Sequence, residues 1–183
     1  KLHTIDFGDN SELAMIGIKA FGCSSIRSFS FPIHLNKICK GAFGCCKQLR
    51  TIIVPENSEL QIIEDSAFCC SSIESFYIPP HLTSIGESAF AFCTNLKKIK
   101  ISSNSDLQYI GKNAFQGTKI ESFKIPPHIK KICGGVFPET IKIIEIDENS
   151  RINIKSKIVQ IFLDEEYIIM ISFKLIDLLK NFL

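Results

Sequence analysis

The residues of this 183-residue chain that are best suited to chemistry are eight cysteines and four histidines. Four of the cysteines recur at intervals of 23 or 24 residues: Cys23, Cys46, Cys70 and Cys93. Three of the histidines recur at intervals of 47 residues: His34, His81 and His128. Thiolates and imidazoles bind metal ions and act as nucleophiles or bases. Because their spacing is regular, they belong to a repeat, and the repeat determines what they can do.

Phenylalanine marks this repeat. It recurs at positions 21, 43, 68, 90, 115 and 137, with gaps that alternate between 22 and 25 residues. An Ile lies five residues before each of these Phe residues, and a Leu or Ile lies eight residues before it. A short Pro-x-His loop alternates with a long Asn-Ser loop, so the unit of duplication is a 47-residue pair. A period of this size indicates a solenoid, in which each coil buries its apolar residues against its neighbours.

Each Phe is followed by an apolar-x-x-apolar-x-apolar segment, and the final alternation is typical of a β-strand. Such segments begin at Leu2, Ile26, Leu49, Ile73, Leu96, Ile120 and Ile141. We expect one parallel strand per coil, with a short turn or a helical turn on the convex side formed by each Ser-Ala-Phe-type segment. The sequence therefore predicts an α/β solenoid of right-handed leucine-rich-repeat coils of 22 and 25 residues.

The repeat defines residues 1–150 as the solenoid and fails beyond about Ile146. Residues 151–183 are predicted to be a degenerate last unit or a C-terminal cap, because Lys157 stands where an Ile is expected before Phe162. The last apolar residues are compatible with an amphipathic helix that caps the array or binds a partner, and another strand is the remaining alternative. Residues 167–183 are 17 in number and include charged side chains, whereas a bilayer span needs about 20 mostly apolar residues. We therefore expect no integral membrane segment, and residues 1–7 lack the pattern of a signal peptide.

The unit that runs from Leu82 to Ile101 shows the full pattern, Leu-x-x-Ile-x-x-x-Ala-Phe-x-x-Cys-x-x-Leu-x-x-Ile-x-Ile. This pattern resembles the BspA-like leucine-rich repeats of bacterial and protist surface proteins, over residues 1 to about 146. The resemblance implies a surface antigen or adhesin, at the cell surface or secreted, that binds host or matrix ligands. The alternative is an intracellular scaffold for protein–protein interaction, whose apolar tail recruits the partner.

Within the repeat, the four regularly spaced cysteines are predicted to form one column, three residues before each strand segment. Neighbouring coils lie about 4.8 Å apart, which falls inside the Cα range of a disulfide, roughly 4.4–6.8 Å. Buried thiols are the simplest interpretation, and a disulfide and a metal site are the alternatives. The three histidines lie two coils apart, roughly 10 Å, so they cannot share a zinc ion and are assigned to turns.

No catalytic motif accompanies these residues. The sequence has no Gly-x-Ser-x-Gly elbow, no His-Glu-x-x-His pair and no Gly-rich phosphate loop, and its acidic residues are scattered. The formal net charge of +2 gives no global basic excess of the kind that favours nucleic acid. We expect a binding module that is not an enzyme, without a catalytic residue, a metal, a cofactor or a nucleic-acid partner.

The candidate ligand-binding residues are the outward-facing residues of the strands, since alternate residues of a strand face away from the core. This rule places four residues near one another on the predicted concave sheet: Tyr77, Lys98, Lys100 and Lys124. A basic patch with an aromatic anchor could hold a protein or an acidic glycan by charge. The alternative is a solvated lysine cluster that discourages aggregation of the sheet.

Overall fold

The computed structural model describes residues 3–5, 7, 11–146 and 170–171. Within them, the coils of a solenoid contribute parallel strands to two opposite sides. The front strands are β1 (Thr4–Ile5), β3 (Ser28–Ser30), β5 (Thr51–Ile53), β7 (Ser75–Ile78), β9 (Lys98–Ile101), β11 (Ser122–Ile125), β13 (Ile143–Ile146) and β14 (Met170–Ile171). The back strands are β2 (Met15–Ile16), β4 (Lys37–Ile38), β6 (Ile62–Ile63), β8 (Ser84–Ile85), β10 (Tyr109–Ile110) and β12 (Lys131–Ile132).

The back strands form one continuous six-stranded parallel sheet. Its buried column consists of the Ile that precedes each Phe by five residues, and these residues pair in succession: Ile16, Ile38, Ile63, Ile85, Ile110 and Ile132. The prediction of one strand per coil is therefore wrong, because each repeat coil from Met15 onward has two. These strands escaped prediction because two residues are too few to show an alternating pattern.

The front strands form three hydrogen-bonded groups, β1–β3–β5, β7–β9 and β11–β13–β14. Backbone hydrogen bonds just before the strands continue the stack from group to group. Glu74 N donates to Arg50 O at 3.1 Å, and Lys119 N donates to Leu96 O at 2.8 Å. The front strands thus follow one another along the solenoid in chain order, as the sequence predicts.

The segment around each Phe forms a third ladder instead of a helical turn, and the described residues contain no helix. The backbone is left-handed two residues before and two residues after the Phe, as at Ser66 (φ 54°) and Cys70 (φ 58°). Alternate N–H groups then point at the next coil, so that Ser66, Phe68 and Cys70 donate to Glu87, Ala89 and Ala91 at 2.7–2.9 Å. A helix would need these N–H groups for bonds along its own segment, which excludes the predicted helical turn.

The core between the sheets is a ladder of phenylalanine rings. Phe21, Phe43, Phe68, Phe90 and Phe115 stack in sequence with ring centroids 5.1–5.4 Å apart and interplanar angles of 1–15°. Front-sheet rings pack against this ladder edge-on or tilted, for example Phe29 against Phe43 at 4.9 Å. The residues that recur most strictly in the sequence are therefore the core.

The predicted C-terminal unit lies mostly outside the described residues. Only Met170 and Ile171 of residues 151–183 are described, as the strand β14, which pairs in parallel with β13 through Ile143 and Ile144. The interpretations of that region as a cap, an amphipathic helix or a partner-recruiting tail remain predictions.

Candidate binding surface

The register of β7 and β9 brings together three of the four predicted ligand-binding residues. Tyr77 pairs with Lys100, and Ser75 pairs with Lys98. The Lys100 ammonium lies 5.4 Å from the centroid of the Tyr77 ring, a cation–π arrangement. Both lysines are exposed and Tyr77 is half-buried, so the two charges face solvent beside a partly buried ring. We call Tyr77, Lys98 and Lys100 the basic cluster.

Lys124, the fourth predicted residue, lies on β11, the strand that packs beside β9. It is exposed, and its partner in register on β13 is Glu145. This carboxylate bounds the positive charge on the C-terminal side of the front sheet. Lys124 is thus at the edge of the basic cluster rather than at its centre.

Two exposed isoleucines flank the basic cluster. Ile53 on β5 is 55% exposed, and Ile143 on β13 is 43% exposed. Ile53 pairs in register with Ser30 of β3, and Ile143 pairs in register with Ser122 of β11. Along its length the front face therefore presents an apolar position, an aromatic ring with two ammonium groups, and a second apolar position.

A row of charged residues just before the front strands is a feature that the sequence reasoning missed. Arg50 donates to Glu74 at 3.1 Å, and Lys142 donates to Glu121 at 2.9 Å. The backbone N–H of Lys97 donates to Glu74 O, which places Lys97 in the same row. The signal in the sequence was a charged residue directly before the outward positions of each strand. This row borders the front face with ion pairs between successive coils.

The predicted single column of cysteines is wrong, because the structure divides these residues between two columns. An outer column lies two residues after each Phe, at the left-handed position, and contains Cys23, Cys45, Cys70, Phe92 and Gly117. An inner column lies three residues after each Phe and contains Ser24, Cys46, Ser71, Cys93 and Thr118. Equivalent positions in successive coils are set by their distance from the Phe rather than from the strand. The number of residues between the Phe and the strand varies by one from coil to coil.

The inner column satisfies backbone carbonyls from within the core. The Cys46 thiol donates to Phe21 O at 2.9 Å, the Cys93 thiol donates to Phe68 O at 3.0 Å, and the Thr118 hydroxyl donates to Phe115 O at 2.8 Å. Burial raises the pKa of Cys46 and raises the pKa of Cys93 to about 12. A raised pKa keeps both thiols protonated, whereas the nucleophilic form of cysteine is the thiolate. These two thiols therefore act as structural hydrogen-bond donors.

The histidines of the short loops contact acidic residues of the next coil. His34 Nδ1 lies 3.2 Å from Glu59 Oε1, and His81 Nδ1 lies 3.4 Å from Asp106 Oδ2. Both carboxylates belong to the long Asn-Ser loops. The assignment of these two histidines to turns agrees with these loop-to-loop contacts.

On the back sheet, charge is concentrated at an ion pair between neighbouring coils. Lys37 Nζ lies 2.6 Å from Glu64 Oε1, and Glu64 Oε2 also accepts from the backbone N–H of Lys40 at 2.9 Å. The hydrogen bond from Lys37 lowers the pKa of Glu64, and the same bond raises the pKa of Lys37. Apolar side chains are exposed on the same sheet at Met15 and Ile62. This side is thus chemically distinct from the basic cluster.

The described residues contain neither a cluster of metal-ligating side chains nor a membrane-spanning helix. Across residues 3–5, 7, 11–146 and 170–171, no group of three or more His, Cys, Asp or Glu side chains is arranged to hold a metal ion. Over the same part of the chain, no helix has the length and apolar character to cross a membrane.

Parallel coils that each carry a front strand and stack a ring ladder between two sheets are typical of leucine-rich-repeat solenoids. The family model described as "BspA type Leucine rich repeat region" matches six copies over residues 14–144. The chain therefore belongs to the BspA-type leucine-rich-repeat family, and the resemblance read from its sequence is confirmed.

Solved structures of similar fold include a pneumococcal antigen and a leucine-rich cell surface protein. The pneumococcal vaccine antigen PcpA is 23% identical with a TM-score of 0.56, and the match covers 81% of this chain and 55% of PcpA. A leucine-rich cell surface protein from Faecalibacterium prausnitzii is 17% identical with a TM-score of 0.45, and the match covers 81% of this chain and 68% of that protein. The chain thus spans little more than half of PcpA, and the likeness at this identity concerns the fold. None of the curated proteins matches the sequence.

Proposed function

We propose that this chain is a non-enzymatic binding module of a surface-displayed or secreted protein, and that its front face holds an acidic ligand. The ligand is a sulfated glycan or an acidic segment of a host or matrix protein. The observation that carries the proposal is the basic cluster itself, with Lys100 over the Tyr77 ring and Lys98 beside it on the same strand.

The physical argument rests on the arrangement of charge and apolar surface. Two exposed ammonium groups on one strand, with a third on β11, attract carboxylates and sulfates, and the parallel stacking of the strands lets an extended ligand contact several coils. The Tyr77 ring supplies a large, half-buried contact of the kind that anchors interfaces. The exposed Ile53 adds apolar area one coil away. A solvated lysine cluster that only prevents aggregation would need no aromatic partner.

Kinship supports display at the cell surface. The BspA-type family and the similar fold of PcpA, which is named as a pneumococcal vaccine antigen, favour this placement. A repeat array presents a long surface for binding. An intracellular scaffold is the competing proposal, and the location of the full-length protein distinguishes the two.

The test is a screen of the chain against immobilised heparin and acidic matrix proteins, followed by the charge reversal Lys98→Glu, Lys100→Glu and Lys124→Glu. We expect the triple variant to bind at least about tenfold more weakly, because three favourable ion pairs become repulsive. Wild-type binding is expected to weaken as ionic strength rises from about 0.05 to 0.5 M, since salt screens exposed charges.

A matched control carries the same change in net charge away from the front face, as Lys47→Glu, Lys112→Glu and Lys131→Glu, three exposed lysines on turns and the back sheet. It is expected to bind nearly as the wild type does. Binding that does not depend on salt, or that falls equally in both triple variants, rules out the basic cluster as the binding site.

A further inference from the structure

The outer column places three thiols on successive coils at one side of the solenoid. We call Cys23, Cys45 and Cys70 the thiol stripe. All three adopt the same left-handed backbone conformation, with φ of 58–59°, so their side chains leave the backbone in the same direction. Cys23 and Cys45 are exposed and Cys70 is partly exposed, in contrast to the buried Cys46 and Cys93 of the inner column.

The backbone holds the members of the thiol stripe in register. Cys23 N donates to Gly44 O at 2.8 Å, Cys45 N donates to Cys69 O at 2.7 Å, and Cys70 N donates to Ala91 O at 2.9 Å. Each donor thus bonds the residue that directly precedes the equivalent position of the next coil. Coils hydrogen-bonded in this way lie about 4.8 Å apart, within the Cα separation of roughly 4.4–6.8 Å that a disulfide spans.

The Cys45 thiol is the central member, with Cys23 at the equivalent position of the preceding coil and Cys70 at that of the following coil. Both neighbouring thiols raise the pKa of Cys45. A fourth thiol lies next to the stripe, since Cys69 Sγ is 3.7 Å from Cys70 Sγ. A Cys69–Cys70 bond would join adjacent residues in a strained ring, whereas a bond from Cys45 joins two coils already held in register.

We propose that the thiol stripe is an oxidation site, at which a peroxide converts Cys45 and one neighbour, Cys70 or Cys23, into a disulfide between successive coils. The Cys45 or neighbouring thiolate attacks one oxygen of the peroxide and becomes a sulfenic acid, with release of water from hydrogen peroxide. The second thiol then attacks the sulfenic sulfur, the S–S bond forms, and a second water leaves. Two thiols are oxidised by two electrons, and the peroxide is reduced by the same two.

This inference is independent of the function proposed for the front face. Desolvation by neighbouring coils and the adjacent Cys70 and Cys23 thiols raise the pKa of Cys45. The thiolate fraction at neutral pH is therefore small, and the rate of oxidation rises with pH. The stripe acts as a slow covalent staple between coils rather than as a catalytic thiol.

The sequence makes the bond easy to map. Trypsin cleaves after Lys and Arg, so Cys23 falls in peptide 20–27, Cys45 and Cys46 fall in peptide 41–47, and Cys69, Cys70 and Cys93 fall in peptide 51–97, where fragmentation identifies the linked cysteine. After treatment of the full chain with hydrogen peroxide and blocking of the remaining thiols, we expect peptide 41–47 linked to peptide 51–97 or to peptide 20–27. The mass of the linked species should be the sum of both peptides less two hydrogen atoms.

Serine variants distinguish the two columns. Cys45→Ser is expected to abolish the link, and Cys46→Ser is expected to keep it, since the inner column already holds Ser24 and Ser71. Serine also suits the left-handed position, as Ser66 and Ser88 show. If Cys45→Ser fails to fold, fragmentation of the linked wild-type peptide between Cys45 and Cys46 assigns the sulfur.

Thermal unfolding gives a second readout. Peroxide is expected to raise the midpoint of thermal unfolding of the wild type by roughly 5–10 °C, because a disulfide between two coils lowers the conformational entropy of the unfolded chain. The midpoint of Cys45→Ser is expected to stay unchanged. The proposal is overturned if peroxide gives only sulfinic or sulfonic acids, only a Cys69–Cys70 or Cys45–Cys46 bond, or a link that survives Cys45→Ser.

Discussion

At the scale of single residues, position within a coil decides what a side chain can do. Cys45 and Cys46 are neighbours in sequence, yet one is exposed on the thiol stripe and the other donates a hydrogen bond inside the core. The sequence predicted a column that mixed the two environments. The prediction aligned the cysteines by their distance from the strand, but the distance between Phe and strand changes by one residue in alternate coils. Counting forward from the Phe would have separated them.

Glu64 gives a prediction at this scale. Its carboxylate accepts from Lys37 and from the backbone of Lys40, and these bonds lower its pKa below the ordinary value of 4.5. The stabilisation from a lowered carboxyl pKa is present above the unfolded-state pKa and is lost as the pH falls through the folded-state pKa. We therefore expect Glu64→Gln to lower the thermal midpoint slightly at about pH 7, and the difference from wild type to shrink as the pH falls through the folded-state pKa of Glu64.

Thermal denaturation at several pH values checks this prediction, with Glu56→Gln in an exposed loop as the control. A deficit of Glu64→Gln that stays constant down to low pH would show that the ion pair is not its origin.

At the scale of the elements, the two sheets differ in how far they could be predicted. The front strands follow from the alternation of apolar and polar residues, as in Ser122–Ile125, and their outward positions were assigned correctly. The back strands have two residues each, so no periodicity exists to read. The Ser-Ala-Phe segments suggested a helical turn because Ala and Ser tolerate one, but the left-handed residues on both sides of the Phe direct the N–H groups to the next coil.

The close approach of coils beside the back sheet gives a prediction for an element. Gly111 follows the Ile of β10, and a Cβ there would lie 2.5 Å from Glu87 N and 2.6 Å from Gly86 C. Gly17 holds the same position after β2, where a Cβ would meet nothing within 4 Å. We expect Gly111→Ala to lower the free energy of unfolding by at least about 2 kcal/mol, because backbone atoms must move apart.

Chemical denaturation measures this difference, with Gly17→Ala as the matched control, expected to change stability by less than about 0.5 kcal/mol. Equal effects of the two substitutions would contradict the close contact between coils at Gly111.

At the scale of the whole molecule, the repeat separates architecture from recognition. Residues that recur in every unit, such as the Phe ladder and the back-sheet Ile column, are buried and are fixed by packing. Residues that differ from unit to unit lie on the outward positions of the strands, where Tyr77 and Lys100 pair in register. The sequence could therefore predict which face varies and which residues lie near one another. The same alternation places Glu145 next to Lys124 in one outward column, and the register of β11 and β13 pairs these two residues.

The most direct measurement for the front face is a lysine footprint. The ligand selected by the screen is bound to the wild-type chain, exposed amines are acetylated briefly, and the modified lysines are quantified by mass spectrometry with and without ligand. The account predicts that bound ligand protects Lys98 and Lys100 several-fold and leaves Lys112 and Lys131, away from the front face, as reactive as before. Protection of Lys112 and Lys131 with Lys98 and Lys100 still fully reactive would contradict it.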